Sequence, residues 1–193
     1  IDPPSMEKAG PRKHIYFNPA DVRAAVVTCG GLCPGINDVI RALYMELHYR
    51  YRVKDVIGIR YGYTGLVPRI GVPPVHIMPN MVENIHREGG TFLGSSRGPQ
   101  DLKEMVDFLE RERIDMLFVI GGDGTQRGAL DIAKEIERRK IDIAVIGIPK
   151  TIDNDIAYVE RSFGFNTAVS IAKEVLGTGH EEARGAYNGV AVV

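Results

Sequence analysis

From Val22 onward, short apolar runs rich in β-branched residues alternate with longer stretches whose apolar residues recur every three or four positions. The first kind predicts strands at "RAAVVTC" (23–29), "DVIGIRYG" (55–62), "IDMLFVIGG" (114–122) and "IDIAVIGIP" (141–149), with a final strand at "YNGVAVV" (187–193). The second kind predicts helices at 36–51, 79–89, 100–113, 125–140 and 162–176. The strand runs are apolar throughout instead of alternating, so both faces of the sheet must be covered. Each is separated from the next by helix. The pattern therefore predicts an α/β fold: a doubly wound, mostly parallel sheet with helices on both faces.

Residues 1–20, rich in proline and charge, are expected to form an extended N-terminal arm, and residues 21–193 one α/β domain. Val193 falls inside an apparent strand. The sequence is therefore expected to be part of a longer polypeptide, truncated before a further half. No internal repeat or low-complexity linker interrupts it.

Composition narrows the function. With 44% apolar and 25% charged residues among 193, the chain has the make-up of a globular domain with a real core. A formal net charge of −1 gives no support to nucleic-acid or anionic-membrane binding. No apolar run approaches the ~20 residues a membrane-spanning helix needs, and the first residues hold no signal-peptide core. Cys29 and Cys33 are too few for a disulfide framework and fit a reducing compartment, with the cytoplasm as the default. The five histidines fall in no metal or triad spacing, and His86 and His180 are expected to be partly exposed helix residues.

Doubly wound sheets bind ligands beyond the carboxyl ends of their strands. Three loops, at 30–37, 121–128 and 149–155, each follow a strand and should converge there. In "GGDGT", Gly121, Gly122 and Gly124 let backbone N–H groups approach phosphate oxygens, and the helix expected near Thr125 adds the positive end of its dipole. Asp123 repels a phosphate unless a divalent cation lies between them; the alternative is a plain glycine turn with Asp123 as helix N-cap. "GGLCPGIN" repeats the arrangement after the first strand without being a dinucleotide fingerprint. In "PKTIDND", Thr151, Asp153 and Asp155 would point the same way if the loop is extended. Paired carboxylates suit a general base acting on an alcohol, with Lys150 as a nearby cation; the alternative is an Asx-rich turn. "GSSRGP" offers Arg97 to a phosphate or a base face.

Together, "VTCGGLCPGIND", "GGTFLGSSRG", "VIGGDGTQRG" and "GIPKTIDNDI…SFGFNTA" resemble the 6-phosphofructokinase family in order and spacing, from about Tyr16 onward. The fit is to the ATP-using subgroup of plants and protists, which is related to the pyrophosphate-using enzymes. The resemblance implies a phosphofructokinase-like nucleotide-binding domain and transfer of the ATP γ-phosphoryl group to the 1-hydroxyl of fructose 6-phosphate, a glycolytic reaction. By position, Gly31, Arg97, Gly122, Asp123, Gly124 and Thr125 would line the ATP site, with Asp123 holding Mg²⁺. Thr151, Ile152 and Asp153 would meet the sugar phosphate, Asp153 would be the base, and Asp155 would support the metal or the base.

Within the family, glycine after the metal aspartate marks ATP users and aspartate marks pyrophosphate users, so Gly124 favours ATP. Lys150 stands where pyrophosphate users carry lysine, a combination the plant-like ATP group shares. The resemblance also implies an allosteric, cytoplasmic homo-oligomer, dimer or tetramer. Two departures stand out: the MGR motif would follow Val193, and no arginine lies near Gly189, where bacterial members reach across a subunit interface. The alternatives are a pyrophosphate-dependent phosphofructokinase, a GGDGT kinase of the NAD or lipid kind, and a silent nucleotide-binding regulatory subunit. This chain alone is expected to be inactive.

Overall fold

The structure, a computed structural model, describes Ser5, Gly10 and residues 12–193. The expected arm lies partly outside the described residues. Its described stretch, 12–20, carries no helix or strand, and Phe17 packs on the core.

Strand β1 (Arg23–Thr28) leads into helix α1 (Ile36–Met45), and β2 (Asp55–Ile59) follows. Two 3₁₀ turns (Gly62–Leu66 and Pro68–Ile70), a two-residue strand β3 (Val75–His76), the single-turn helix α2 (Pro79–Val82) and a 3₁₀ turn (Ile85–Arg87) come next. Helix α3 (Leu102–Arg111), β4 (Met116–Gly121), α4 (Asp123–Arg139), β5 (Ala144–Pro149) and α5 (Phe165–Gly185) complete the order.

The five strands form one sheet in the order β3-β2-β1-β4-β5. All neighbours are parallel except β2 and β3, which run antiparallel. Alternate residues of β1 serve opposite cores. Ala25 and Val27 join Leu117, Val119, Phe108, Leu109 and Ile132 against α3 and α4, while Ala24 and Val26 join Ile36, Ile40 and Leu47 against α1. Both faces of β1 are fully buried, which is why its run shows no polar alternation. The chain leaves β1 through α1 toward β2, then crosses back to β4 on the other side of β1. This reversal opens a crevice at the carboxyl ends of β1 and β4.

Beyond shifts of a few residues at element ends, the structure departs from the sequence expectation over 36–51, 79–89 and 162–193. The predicted helix 36–51 is α-helical to Met45 and then widens over Glu46–Arg50, where Tyr51 N–H reaches five residues back to the Glu46 carbonyl at 3.1 Å. The predicted helix 79–89 breaks after one turn, because Asn84 leaves helical geometry (φ −118°, ψ 0°) and bonds on either side run three residues back, from Met81 to Met78 and from Arg87 to Asn84. The predicted strand 187–193 is absent. Tyr187, Val190 and Val192 are almost fully exposed, and a strand needs a partner for its backbone groups that no described residue supplies. Helix α5 instead continues past Leu176 to Gly185.

Candidate active site

Four loops meet in the crevice. Cys29 N–H donates to the Ile120 carbonyl (2.9 Å), Gly30 N–H to Ser96 O (3.0 Å) and Lys150 N–H to Gly121 O (2.9 Å). Thr28 Oγ1 donates to Gly94 O (2.7 Å), and Ser95 Oγ to Gly30 O (2.6 Å). The loop after β5 closes the ring from the far side: Cys33 Sγ donates to the Phe163 carbonyl at 3.1 Å. Two left-handed glycines make this fit. Gly35 (φ 93°) is the N-cap of α1, and Gly164 (φ 84°) is the N-cap of α5. A Cβ at Gly164 would lie 2.2 Å from Pro34 O, so no other residue fits without backbone movement. The three loops picked from the sequence thus come together, joined by the loop that carries Arg97.

Lys150 is the central tie. Its side chain is buried among the loops, and Nζ donates to Gly31 O at 2.5 Å. Burial pulls its pKa below the ordinary lysine value, opposed by the neighbouring Cys33 and Cys29 thiols and assisted by the Arg97 charge. Both thiols are free. Burial pushes Cys29 up to about 12 and raises Cys33, so neither is a nucleophile at neutral pH.

The loop carrying Asp153 is bent, not extended. Asp153 N–H donates to Thr151 Oγ1 (3.2 Å), while that hydroxyl donates to Asp155 Oδ1 (2.6 Å). Asn154 takes a left-handed φ of 55°, and its Oδ1 accepts from Ser162 N–H at 2.6 Å. Ser162 Oγ in turn donates to Thr151 O (2.8 Å). The expectation that Thr151, Asp153 and Asp155 share one direction is therefore corrected: local hydrogen bonds outcompete extension. Their consequence is a division of labour between the two carboxylates. Asp155 is engaged by Thr151, whereas the exposed Asp153 carboxylate makes no hydrogen bond or ion pair with any described residue. Ile152 beside it is 42% exposed.

On the other wall, α4 begins at Asp123, two residues earlier than expected, with Gly122 as its N-cap and no side-chain cap. Asp123 is thus a first-turn residue instead of the N-cap, and its carboxylate pairs with Arg127 Nη2 at 2.5 Å. Thr125 is buried. A Cβ on Gly124 would meet nothing within 4 Å, because Gly124 faces open space. That space is a cleft of about 410 Å³ lined by Tyr63, Arg97, Gly124, Thr125, Arg127 and Asp131 among others. Arg97 also reaches toward the first loop, where its Nη2 lies 3.1 Å from where a Cβ of Gly31 would stand. His86 and His180 are exposed, and neither lines the cleft.

Among the described residues no three His, Cys, Asp or Glu side chains gather into a metal cage. A lone exposed carboxylate on a phosphate-type loop fits magnesium, which keeps several waters and takes one or two carboxylates plus substrate phosphates.

Three residues outside the sequence reading hold the site together. Gln126 Nε2 donates to Gly121 O (3.0 Å) and Ile148 O (3.1 Å), joining the ends of β4 and β5. Buried Asn37 accepts from Phe92 N–H (2.6 Å) and donates to Glu88 O (3.0 Å), anchoring the loop before Arg97. Tyr63 OH donates to Thr125 O at 2.7 Å. All three reach across long sequence separations, which local patterns do not encode. The one available signal was a buried-type position, Asn37, occupied by an amide within an amphipathic helix.

Residues 23–193 match the family Phosphofructokinase. The chain is 53% identical to the ATP-dependent 6-phosphofructokinase of Borreliella burgdorferi, over 97% of its own length and 42% of that protein. It is 53% identical to the Trypanosoma cruzi protein of the same name, over 100% of this chain and 40% of that one. It therefore spans less than half the length of these relatives. Among solved structures, the pyrophosphate-dependent phosphofructokinase from Marinobacter aquaeolei shares the fold with a TM-score of 0.73 at 21% identity, over 84% of this chain and 42% of that chain. Pichia pastoris phosphofructokinase in the T-state has a TM-score of 0.69 at 25% identity, over 80% and 18%.

Proposed function

The chain belongs to the phosphofructokinase family, and from that premise we propose that the whole protein is an ATP-dependent 6-phosphofructokinase. It transfers the γ-phosphoryl group of ATP to the 1-hydroxyl of fructose 6-phosphate, giving fructose 1,6-bisphosphate. The observation that carries the donor reading is the open cleft at Gly124, lined by the cations of Arg97 and Arg127, the second of which pairs with Asp123. The relatives named ATP-dependent, at 53% identity, support it.

In this reading Asp153, whose carboxylate has no partner among the described residues, accepts the proton of the 1-hydroxyl as the hydroxyl oxygen bonds to the γ-phosphorus and ADP departs. Asp155 holds Thr151, and with it the bend that presents Asp153. Thr151 and Ile152 meet the sugar phosphate. Lys150, held by Gly31 O, fixes a positive charge between the donor loops. Gly31, Gly122 and Thr125 line the polyphosphate path through their backbone. Asp123 would hold Mg²⁺, which when bound neutralises the charge developing on the phosphates.

No helix among the described residues is long and apolar enough to cross a membrane. Two free buried thiols fit a cytoplasmic setting, and a homo-oligomer acting on these two small substrates, with neither nucleic acid nor membrane as partner, completes the proposal. The proposal extends to 21–193 as a nucleotide-binding domain completed by a further sugar-phosphate-binding half. A second reading, use of pyrophosphate, rests on Lys150, which would suit that smaller donor. Initial rates of the full-length protein with fructose 6-phosphate and either ATP or pyrophosphate decide between them. Turnover with ATP is expected; turnover with pyrophosphate alone would overturn the donor assignment.

A further inference from the structure

Arg127 is the fifth residue of the 17-residue helix α4, just past its first turn. Its guanidinium lies against Asp123 at 2.5 Å, although both side chains are largely exposed (77% and 69%). The order, acid four residues before base, is the favourable one for such a pair. Arg127 nevertheless lines the same cleft as Gly124 and Arg97. A second carboxylate, Asp131, lies four residues further along α4 on the same cleft, yet only the Asp123 contact is formed.

We propose that Arg127 has two alternating partners: it neutralises Asp123 in the free protein and binds the polyphosphate chain of the donor in the loaded one. This rests on the donor-site reading above and adds a positioning residue to it. In the free protein the pair keeps an unpaired carboxylate from facing an incoming anion. A divalent cation arriving with the polyphosphate takes over Asp123, and the released guanidinium has a fork of donors suited to phosphate oxygens. In the exchange one cation leaves the carboxylate as another reaches it, so Asp123 is neutralised in both states. Arg127 thereby competes with metal when no nucleotide is present and cooperates with it when nucleotide is bound.

The two halves give opposite signs in one variant. In the full-length protein, Arg127→Met is expected to strengthen nucleotide-free Mn²⁺ binding, read by electron paramagnetic resonance, by about two- to fivefold, since an exposed ion pair no longer competes. The same variant is expected to weaken magnesium–AMP-PNP binding, read by calorimetry, by about tenfold or more through loss of a charge-assisted hydrogen bond. Arg127→Lys should fall between, and Asp123→Asn should abolish the Mn²⁺ signal. Thermal melts of the variants report folding directly. Unchanged Mn²⁺ affinity in Arg127→Met overturns the proposal, as does unchanged AMP-PNP affinity, which would mean that the wild-type arginine does not bind the polyphosphate. If the wild type binds magnesium pyrophosphate and not AMP-PNP, the ATP assignment fails. The comparison is then read on pyrophosphate, with the same signs expected.

Discussion

Gly124→Asp separates charge from fold at the donor site. A Cβ there meets no atom within 4 Å, and the residue already lies in the first turn of α4, where an acid is favourable with respect to the helix dipole. The substitution is therefore expected to fold normally, and its effect will be felt in the cleft. A carboxylate about 4 Å from a phosphate oxygen, at an effective dielectric near 20, gives a repulsion on the order of 4 kcal/mol before screening. Arg127, three residues on along α4, is a compensating cation on the same cleft, and an exposed pair returns only about 0.2–1 kcal/mol. If screening leaves a third of the repulsion, the KM for ATP rises about tenfold. The assay is initial rates of the full-length protein at saturating fructose 6-phosphate, with Gly124→Asn as the neutral control of nearly equal size. The Asp variant should lose far more than the Asn variant, and raising ionic strength should narrow the gap. An unchanged KM in Gly124→Asp, or equal losses in both variants, would refute the electrostatic argument and with it the assignment of this loop to the donor.

Asp153→Ala should lower kcat by ~10²–10⁴, the range of a general base, while nucleotide affinity measured by calorimetry stays at the wild-type level; loss confined to Asp155→Asn would move the base to Asp155. Gly164→Ala combines a left-handed backbone with a Cβ 2.2 Å from Pro34 O, so denaturant unfolding should show a loss of about 3 kcal/mol or more. Because burial holds the Cys29 thiol up at about 12 and also raises Cys33, iodoacetamide at pH 8 should leave both unlabelled in the native protein, as read by peptide mass spectrometry, and label both in denaturant.

The sheet was legible because β1 and β4 are continuous apolar runs, the pattern of parallel strands covered on both faces, and β5 carries a similar run although it is the partly exposed edge. The two-residue β3 carries too little sequence to have a period, and the π turn at Glu46–Arg50 keeps helical spacing, so neither had a signature. The valines of 187–193 have strand propensity, but propensity does not supply a neighbour, and the segment remains without one among the described residues. At the candidate site the glycine loops and Asp123 could be picked from spacing, because their chemistry is local. The bend at Thr151–Asp155 could not, since it is decided by Asn154 answering Ser162 and Ser162 answering Thr151. Gln126 was hidden for the same reason: its partner Ile148 is brought to it only by the parallel pairing of β4 and β5.

The tie between Lys150 and Gly31 spans 119 residues, and that between Phe163 and Cys33 spans 130. Closing a loop of that length in a flexible chain costs about 4 kcal/mol of entropy, which must be met before the contact returns anything. Such contacts form late in folding. During synthesis, the first glycine loop emerges long before the lysine that locks it, and β1 must wait for β4 to dock beside it and for β5 to dock beside β4. The crevice thus acts as a reporter of completed folding: its arrangement of loops exists only once the sheet has been assembled out to β5.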